Sequence, residues 1–408
     1  MKSLVLCGGI PQVELINKLK KRGIYTILLD MNEKVLGRAY ADEFYPISVF
    51  DIEKIKKIAL DKKVDFIVTA CADQVLLIQA KVSEELGLPC YISYETAKAV
   101  SDKEAMKRIF IENNIPTSKY KVMSELDIAS IENFKYPLIV KPVDSYSSKG
   151  VKKVFNEQEL AEAFVNARVI SRSKRVIVEE YVEGNEITID AYVENGEAHI
   201  LSASNIYKIS NSDKFIICRT KYPADINKKI IDQIDKVAND IAKSFNLKNS
   251  PMLIQLIENG EAISVIEFCA RTGGGEKFKL IKNVSKFDVI DAIIDLTLGK
   301  KPHVEHYRSN KQIINEFLYG REGIFDHLEG FEELKTKGII KEYFQLREKG
   351  EIIKAAKSSS ERIAYITVEA DNKDELFRLH EEISKNIKVC DINNEDILRH
   401  DIIEAFNI

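Results

Sequence analysis

The sequence contains no apolar run long enough to cross a bilayer. Its N-terminus, "MKSLVLCGG", meets two glycines too early for the apolar core of a secretion signal. The expected location is the cytoplasm, with no membrane partner. Cysteine is sparse: Cys7, Cys71, Cys90, Cys218, Cys269 and Cys390, with no C-x-x-C pair among them. That spacing argues against a zinc ribbon or a disulfide scaffold and fits a reducing compartment. Basic runs are missing too. The net charge is −4, with acids and bases mixed along the chain, so there is no electrostatic footprint for nucleic acid. Two nucleotide motifs are absent. "GxxxxGK[ST]" occurs nowhere, and Gly8-Gly9 is followed by Ile10, Pro11 and Gln12 rather than by the third glycine of a dinucleotide fingerprint. Gly8-Gly9 reads instead as a structural turn or a wall of a substrate cleft.

What is present is an ordinary globular composition, 45% hydrophobic and 30% charged over 408 residues. That length predicts two to four domains and a large core. The first segment alternates strand and helix patterns. Ser3–Cys7, Ile24–Asp30, Phe66–Ala70 and Pro89–Ile92 read as strands. Val13–Lys21, Ile52–Leu60 and Val75–Leu86 read as helices. This rhythm predicts a parallel sheet with helices on both faces. Asp73, in "TACADQ", could face a cleft or cap a helix.

A helix over Ser101–Asn113, capped by Ser101 or Asp102, closes that segment. A small α+β unit follows. It has strands in "YKVM", "YPLIVKPV", "KKVF" and "RVIVEEYV", a polar loop "DSYSSKG", and a helix over Asn156–Arg168. Next come a strand-rich stretch, a helix over Ile226–Phe245, and a hairpin, "MLIQLIENGEAISVIEF", that turns at Asn259-Gly260. Beyond Pro302 the pattern restarts with "GIIKEYFQL", "IAYITVEA" and a helix over Lys373–Ile387. The expected boundaries are an N-terminal α/β domain at 1–114, a lid subdomain at 115–182, a central subdomain at 183–302 and a C-terminal α+β domain at 303–408.

Three groups of residues carry chemistry. Lys103 opens a helix, and Lys141 ends an apolar strand beside the small polar loop Asp144–Gly150. A cation there suits phosphate oxygens, and the loop N–H groups could close over a polyphosphate. Alone, Lys141 could equally be a solvated strand-end lysine and the loop a plain hairpin connection. Glu179, Glu180 and Glu186 surround a strand exit, where backbone groups can read an adenine edge and a carboxylate can take ribose hydroxyls. Gln255 and Glu267 lie on the two arms of the hairpin, polar among apolar neighbours. Oxygen ligands so placed suit Mg²⁺, although Glu267 could also form a buried ion pair with Arg271. Arg271 and Gly273-Gly274-Gly275 follow, able to bind a transferring phosphoryl group and to let substrate approach the backbone. Arg219, in "IICRTKYPA", is a candidate for a substrate carboxylate or a surface strand arginine.

The order Lys103, "PLIVKP", a small-residue loop, "VEEYVEGNE", then "Q…NGE…VIEFCARTGGG" resembles the ATP-grasp superfamily of carboxylate–amine ligases over residues 1–300. The region 303–408 resembles the C-terminal domain of bacterial amino-acid ligases that make dipeptides. The resemblance implies an N-terminal parallel α/β domain, a two-subdomain ATP-grasp core and a C-terminal α+β segment. It implies ATP with Mg²⁺ or Mn²⁺ and small-molecule carboxylate and amine substrates, with no nucleic-acid or membrane partner; a homodimer is one option for an assembly state that the sequence leaves open.

By position, Lys103 and Lys141 would contact the nucleotide phosphates, with Ser147, Ser148, Lys149 and Gly150 as the lid over them. Glu179, Glu180 and the backbone of Tyr181 and Val182 would meet adenine, and Glu186 the ribose. Gln255 and Glu267 would hold the metal. Arg271, with Lys149, would serve catalysis, and Gly273 and Gly274 the substrate. One departure stands out. The family places Asn two residues after the metal-binding Glu, and this chain has Cys269, whose sulfur is a poor match for Mg²⁺. It reads as a small packing residue rather than a nucleophile. The implied reaction activates a carboxylate as an acyl phosphate and couples it to an amine. Alternatives are a purine-biosynthesis ligase, a carboxylase component and a non-catalytic ATP-binding regulatory protein.

Overall fold

A computed structural model describes residues 1–145, 149–209 and 215–405. The chain forms two compact units, each assembled from separate stretches. The first comprises Met1–Thr117, Thr188–Ser202 and Asn227–Ser309. The second comprises Ser118–Ile187, Ala203–Ile226 and Asn310–Ile408.

The first unit is built on a parallel sheet in the order Glu43–Tyr45, Tyr25–Leu29, Lys2–Leu6, Phe66–Val68. Leu4 and Leu6 bury against Ile55 and Val82 on one face, while Val5 and Leu28 bury against Leu15, Ile16 and Ile290 on the other. Burial on both faces explains why these strands read as unbroken apolar runs. Glu43–Tyr45 carries no such run, because a half-buried edge strand needs none. Pro89–Ile92 is not a strand, contrary to the sequence reading. Pro89 has no N–H to give a ladder, and the segment links two helices. The second of these, Tyr94–Ser101, begins at Ser93, whose hydroxyl accepts the Thr96 N–H at 3.1 Å. Asp102 then caps Lys103–Glu112, its carboxylate accepting the N–H groups of Glu104 (2.9 Å) and Ala105 (3.1 Å).

The same unit holds the hairpin. Ser250–Glu258 and Ile263–Cys269 pair antiparallel around Asn259-Gly260, with Gly260 at φ +84°. The helix Lys228–Ser244 buries Ile230, Ile234, Val237 and Ile241 along one stripe, and Asn227 caps it through the Ile230 N–H at 3.0 Å. Two more helices follow the glycine run, Lys277–Ser285 and Val289–Thr297.

The second unit contains an antiparallel sheet in the order Tyr120–Met123, Val176–Glu180, Leu138–Pro142, Lys152–Val154. The helix Glu157–Ile170 covers it, packing Leu160, Phe164 and Ala167 on Leu138, Val140 and Val178. Its C-terminal part pairs Ile217–Tyr222, Gln312–Leu318, Ala364–Ala370 and Glu342–Gln345 in that order. A smaller ladder runs Ile352–Ile353, Gly323–Glu329, Lys388–Asp391. The helix Lys373–Asn386 buries Leu376 and Ile383 in a core with Phe325, Ile366 and Val368. The architecture is thus α/β and α+β, multidomain. No helix among the described residues is long and apolar enough to cross a membrane.

Candidate active site

In the first unit the site is organised by the hairpin. Gln255 and Glu267 are direct cross-strand partners, as are Leu253 and Cys269. Alternation along the strand puts Gln255, Glu267 and Cys269 on one face and Ile254 and Phe268 on the other. Phe268 anchors the buried face. Its ring lies 4.5 Å from Phe245 and 6.1 Å from Phe110, and Phe110 belongs to the helix that Lys103 opens. Beyond that helix the chain lies along the hairpin: Pro116 accepts the Val265 N–H at 2.8 Å, and the Thr117 hydroxyl donates to the Val265 carbonyl at 2.7 Å. Buried Lys107 donates to that hydroxyl at 2.6 Å.

These contacts fix the helix start against the open face of the hairpin. Lys103 Nζ stands 3.4 Å from Glu267 Oε2, and the Glu267 side chain is 30% exposed. Glu267 thus has Lys103 as an ion-pair partner within this unit. Arg271 donates to its neighbour's carbonyl, Thr272 O, at 2.7 Å. The segment before it is pinned by the Tyr91 hydroxyl, which donates to Ala270 O at 3.1 Å.

Below the glycine run lies a buried polar cluster that the sequence did not reveal. Asp190 is 1% exposed and accepts the Ser202 hydroxyl at 2.8 Å. Lys277 Nζ stands 3.3 Å from Asp190 Oδ2. Among the described residues no well-formed hydrogen bond reaches Asp190 Oδ1, Thr272 Oγ1 or Lys277 Nζ, all three of them buried. Gly273 closes over this cluster. A Cβ there would meet Lys277 Cγ at 2.8 Å and Asp190 Oδ1 at 3.2 Å, so only glycine fits. Asp190 was invisible beforehand because an acid in a strand reads as solvent-facing until the fold buries it.

The second unit holds the other predicted group. Lys141 and Glu179 face each other across adjacent strands, with Nζ to Oε2 at 3.1 Å and side chains only 7% and 6% exposed. A buried lysine needs a partner or a ligand, so the reading of Lys141 as a solvated strand-end residue is set aside. Glu180 points to the opposite face, where its carboxylate accepts the Lys135 N–H at 3.1 Å. The Tyr181 N–H already serves Pro137 O at 3.0 Å, so an adenine edge would be read by other backbone groups of this stretch. The Lys153 ammonium lies 3.4 Å from the Tyr181 ring centroid, a cation–π contact that fixes the ring. Glu186 pairs with Lys208.

The loop after Lys141 is tied at both ends. At its start Asp144 accepts the N–H groups of Ser173 (2.8 Å) and Arg172 (3.2 Å). Burial alone would raise this carboxyl, but these donors outweigh it and hold it below its ordinary value. At its end Gly150 adopts φ +75°, and a Cβ there would meet Ile170 Cδ1 at 2.8 Å. Lys149 is exposed, and its carbonyl accepts the Ser145 hydroxyl at 2.9 Å. Ser147 and Ser148 lie outside the described residues.

Arg219 belongs to neither group. It is 1% exposed, paired with buried Glu316, and donates to Ile403 O at 2.9 Å. His380 completes this inner cluster, with Nε2 at 3.2 Å from Glu316 Oε2. The reading of Arg219 as a surface strand arginine is thereby corrected, since its guanidinium is buried against Glu316 and the Ile403 carbonyl.

The first unit thus brings a cation, a carboxylate and a glycine run to one hairpin, and the second buries a lysine–glutamate pair beside a polar loop, the kinds of group that a nucleotide-dependent ligase uses. Comparison with known proteins narrows this. Residues 134–279 match the ATP-grasp domain and residues 316–390 match L-amino acid ligase C-terminal domain 2. The chain therefore carries an ATP-grasp domain followed by an L-amino acid ligase C-terminal domain.

Among curated relatives it is 26% identical to a 3-methyl-D-ornithine–L-lysine ligase of Methanosarcina acetivorans, over 86% of this chain and 82% of that one. It is 25% identical to D-alanine–D-alanine ligase B of Clostridium perfringens, over 61% of this chain and 88% of that one. Among solved structures, the L-amino acid ligase of Bacillus licheniformis superposes with a TM-score of 0.82 at 20% identity, covering 96% of this chain and 98% of that one. Phosphoribosylglycinamide synthetase of Anaerococcus prevotii gives 0.76 at 20% identity, covering 95% and 98%. These last two likenesses establish the fold.

Proposed function

We propose that the protein joins the carboxylate of one amino acid to the amine of a second, consuming ATP through an acyl phosphate and releasing ADP and phosphate. The observation that carries this reading is the open face of the hairpin, where Gln255 and Glu267 pair across the ladder with Lys103 at 3.4 Å from Glu267. Two oxygen donors from adjacent strands suit Mg²⁺ or Mn²⁺, and the remaining coordination positions suit phosphate oxygens and water. Cys269 shares that face and offers only a soft sulfur, so Gln255 and Glu267 alone form the protein's metal set. A bound divalent cation supplies charge neutralisation for the polyphosphate.

The chain's own residues do the rest. Lys103 and Lys141 bind phosphate oxygens, Lys141 exchanging part of its contact with Glu179 for them. Glu179 and the backbone of Glu180, Tyr181 and Val182 seat the adenine, and Glu186 takes the ribose. Ser147, Ser148, Lys149 and Gly150 exclude water from the activated intermediate. A carboxylate oxygen attacks the terminal phosphorus, and the bond to the bridging oxygen breaks, so that ADP leaves. The amine nitrogen then attacks the acyl carbon and gives up a proton as the C–O bond to phosphate breaks. Arg271 stabilises the transferring phosphoryl group. Asp190, Thr272 and Lys277, buried beneath Gly273, hold the glycine run where substrate meets Gly273 and Gly274.

The amino-acid assignment rests on the C-terminal domain match and on the curated amino-acid ligases among the relatives. Functionally we read 1–114 as supporting the substrate, 115–182 as the lid, 183–302 as the catalytic body and 303–408 as the domain that shapes substrate choice. A phosphate-release screen over amino-acid pairs tests this. Release that requires both an amino acid and an amine supports it. Release only with a ribonucleotide amine or with bicarbonate would move the protein to the purine-ligase or carboxylase reading. ATP binding with no stimulated turnover would make it regulatory.

A further inference from the structure

The smaller ladder of the second unit brings together three side chains of metal-ligating type, none of them among the residues assigned to ATP. His327 and Glu329 lie two apart on Gly323–Glu329, and Cys390 lies on Lys388–Asp391. The register pairs His327 directly with Cys390 and Glu329 with Lys388. Alternation therefore puts His327, Glu329 and Cys390 on one sheet face. Their ligand atoms all lie within 4.8 Å of one another. Cys390 Sγ and Glu329 Oε2 are 3.8 Å apart. Tetrahedral zinc needs its ligand atoms about 3.3–3.6 Å apart, from bond lengths near 2.0–2.3 Å, so small rotations of the two exposed side chains complete the set.

We propose that His327, Glu329 and Cys390 bind a transition-metal dication, zinc in its usual oxidation state, with solvent in the fourth position. Sulfur, imidazole nitrogen and carboxylate oxygen together suit zinc and not magnesium. His327 is already oriented by a second carboxylate: Asp326 Oδ2 meets its Nδ1 at 2.9 Å, leaving Nε2 as the lone-pair nitrogen. The register shift between Phe325 and His327 supplies Asp326 as the extra residue that makes this contact. Cys390 is 1% exposed, which shields the thiol while the two partners remain open to an incoming ion. Glu329 now pairs with Lys388 at 2.7 Å, an exposed contact that a dication displaces easily. Binding releases the thiol proton to solvent and cross-links the two strands. The spacing is carried by strand pairing rather than by a C-x-x-C motif, so the sequence alone gave no sign of it.

The test uses the full-length protein, stripped with chelator and titrated with cobalt(II). A thiolate-to-cobalt charge-transfer band that saturates at one equivalent and is bleached by zinc is expected. Cys390→Ser should abolish the band, and His327→Ala should weaken cobalt binding at least tenfold. Glu267→Ala should leave the band unchanged, which separates this site from the proposed nucleotide metal. Because Cys390 is buried, exposed Glu329→Gln serves as a second ligand variant, with circular dichroism to confirm folding. The proposal is overturned by a missing band in the wild type, by a band that survives Cys390→Ser, or by unchanged affinity in both His327→Ala and Glu329→Gln.

Discussion

At the scale of single residues the account turns on Glu267. It occupies a strand position where its neighbours Phe268 and Val265 are buried, yet it faces a lysine and a glutamine. Glu267→Ala should lower kcat by at least about a hundredfold, the usual effect of losing a group that neutralises transition-state charge. Thermal melts should show the fold intact, since the side chain is part-exposed. Gly273 gives a second prediction. Alanine there must displace Lys277 or Asp190, and displacements of that size are costly to catalysis, so kcat/KM should fall at least about tenfold. A Gly273→Ala protein with unchanged kinetics would remove the glycine run from the active site. Lys141 and Glu179 stood out in the sequence because polar residues interrupt otherwise apolar strands. Asp190 and Arg219 did not, because burial is decided by elements distant in sequence.

At the scale of elements, patterns with a strong local cause were readable. The hairpin was marked by Asn259-Gly260, and the helix stripe over Lys228–Ser244 by its period. The helices Lys277–Ser285 and Val289–Thr297 were missed, the second because its burial is nearly all round and leaves no polar face to mark a period. That second helix is held to Ile10–Lys21 by charge. Lys18 meets Asp288 and Asp291 at 2.8 Å each, and Arg22 meets Asp291 at 2.9 Å and Asp295 at 2.7 Å.

Burial alone would raise the Asp288 carboxyl, but bonds from Lys18 and Lys282 outweigh it and hold it below its ordinary value. A lowered carboxyl pKa stabilises the fold above the unfolded carboxyl value, and that stability is lost as pH falls through the folded one. Asp288 also caps its helix through the Asp291 N–H at 3.1 Å. Asp288→Asn keeps a capping side chain and removes the charge. It should cost about 1 kcal/mol at neutral pH and nothing once the carboxyl is protonated. Denaturant melts of both proteins at neutral and strongly acidic pH check this, and an equal loss at both would refute the charge account.

At the scale of the whole molecule, the order of motifs along the chain identified the superfamily, although no single motif would have done so. The division into compact units was less legible, because each unit draws on stretches separated by parts of the other. Substrate identity was least legible of all, since pockets that choose a side chain are assembled from several loops. If the chain binds ATP only when folded, Mg²⁺–ATP at a hundredfold excess over its Kd should stabilise it by about 2.7 kcal/mol. Scanning calorimetry should show a corresponding rise in Tm, lost in Lys141→Met.

The central claim is that the carboxylate oxygen attacks phosphorus. It is tested most directly with an amino acid whose carboxylate carries heavy oxygen, incubated with ATP, Mg²⁺ and an amine partner, with the released phosphate analysed by mass. One labelled oxygen per phosphate, with ADP as co-product, is the predicted result. Unlabelled phosphate, or AMP carrying the label, would contradict the acyl-phosphate mechanism.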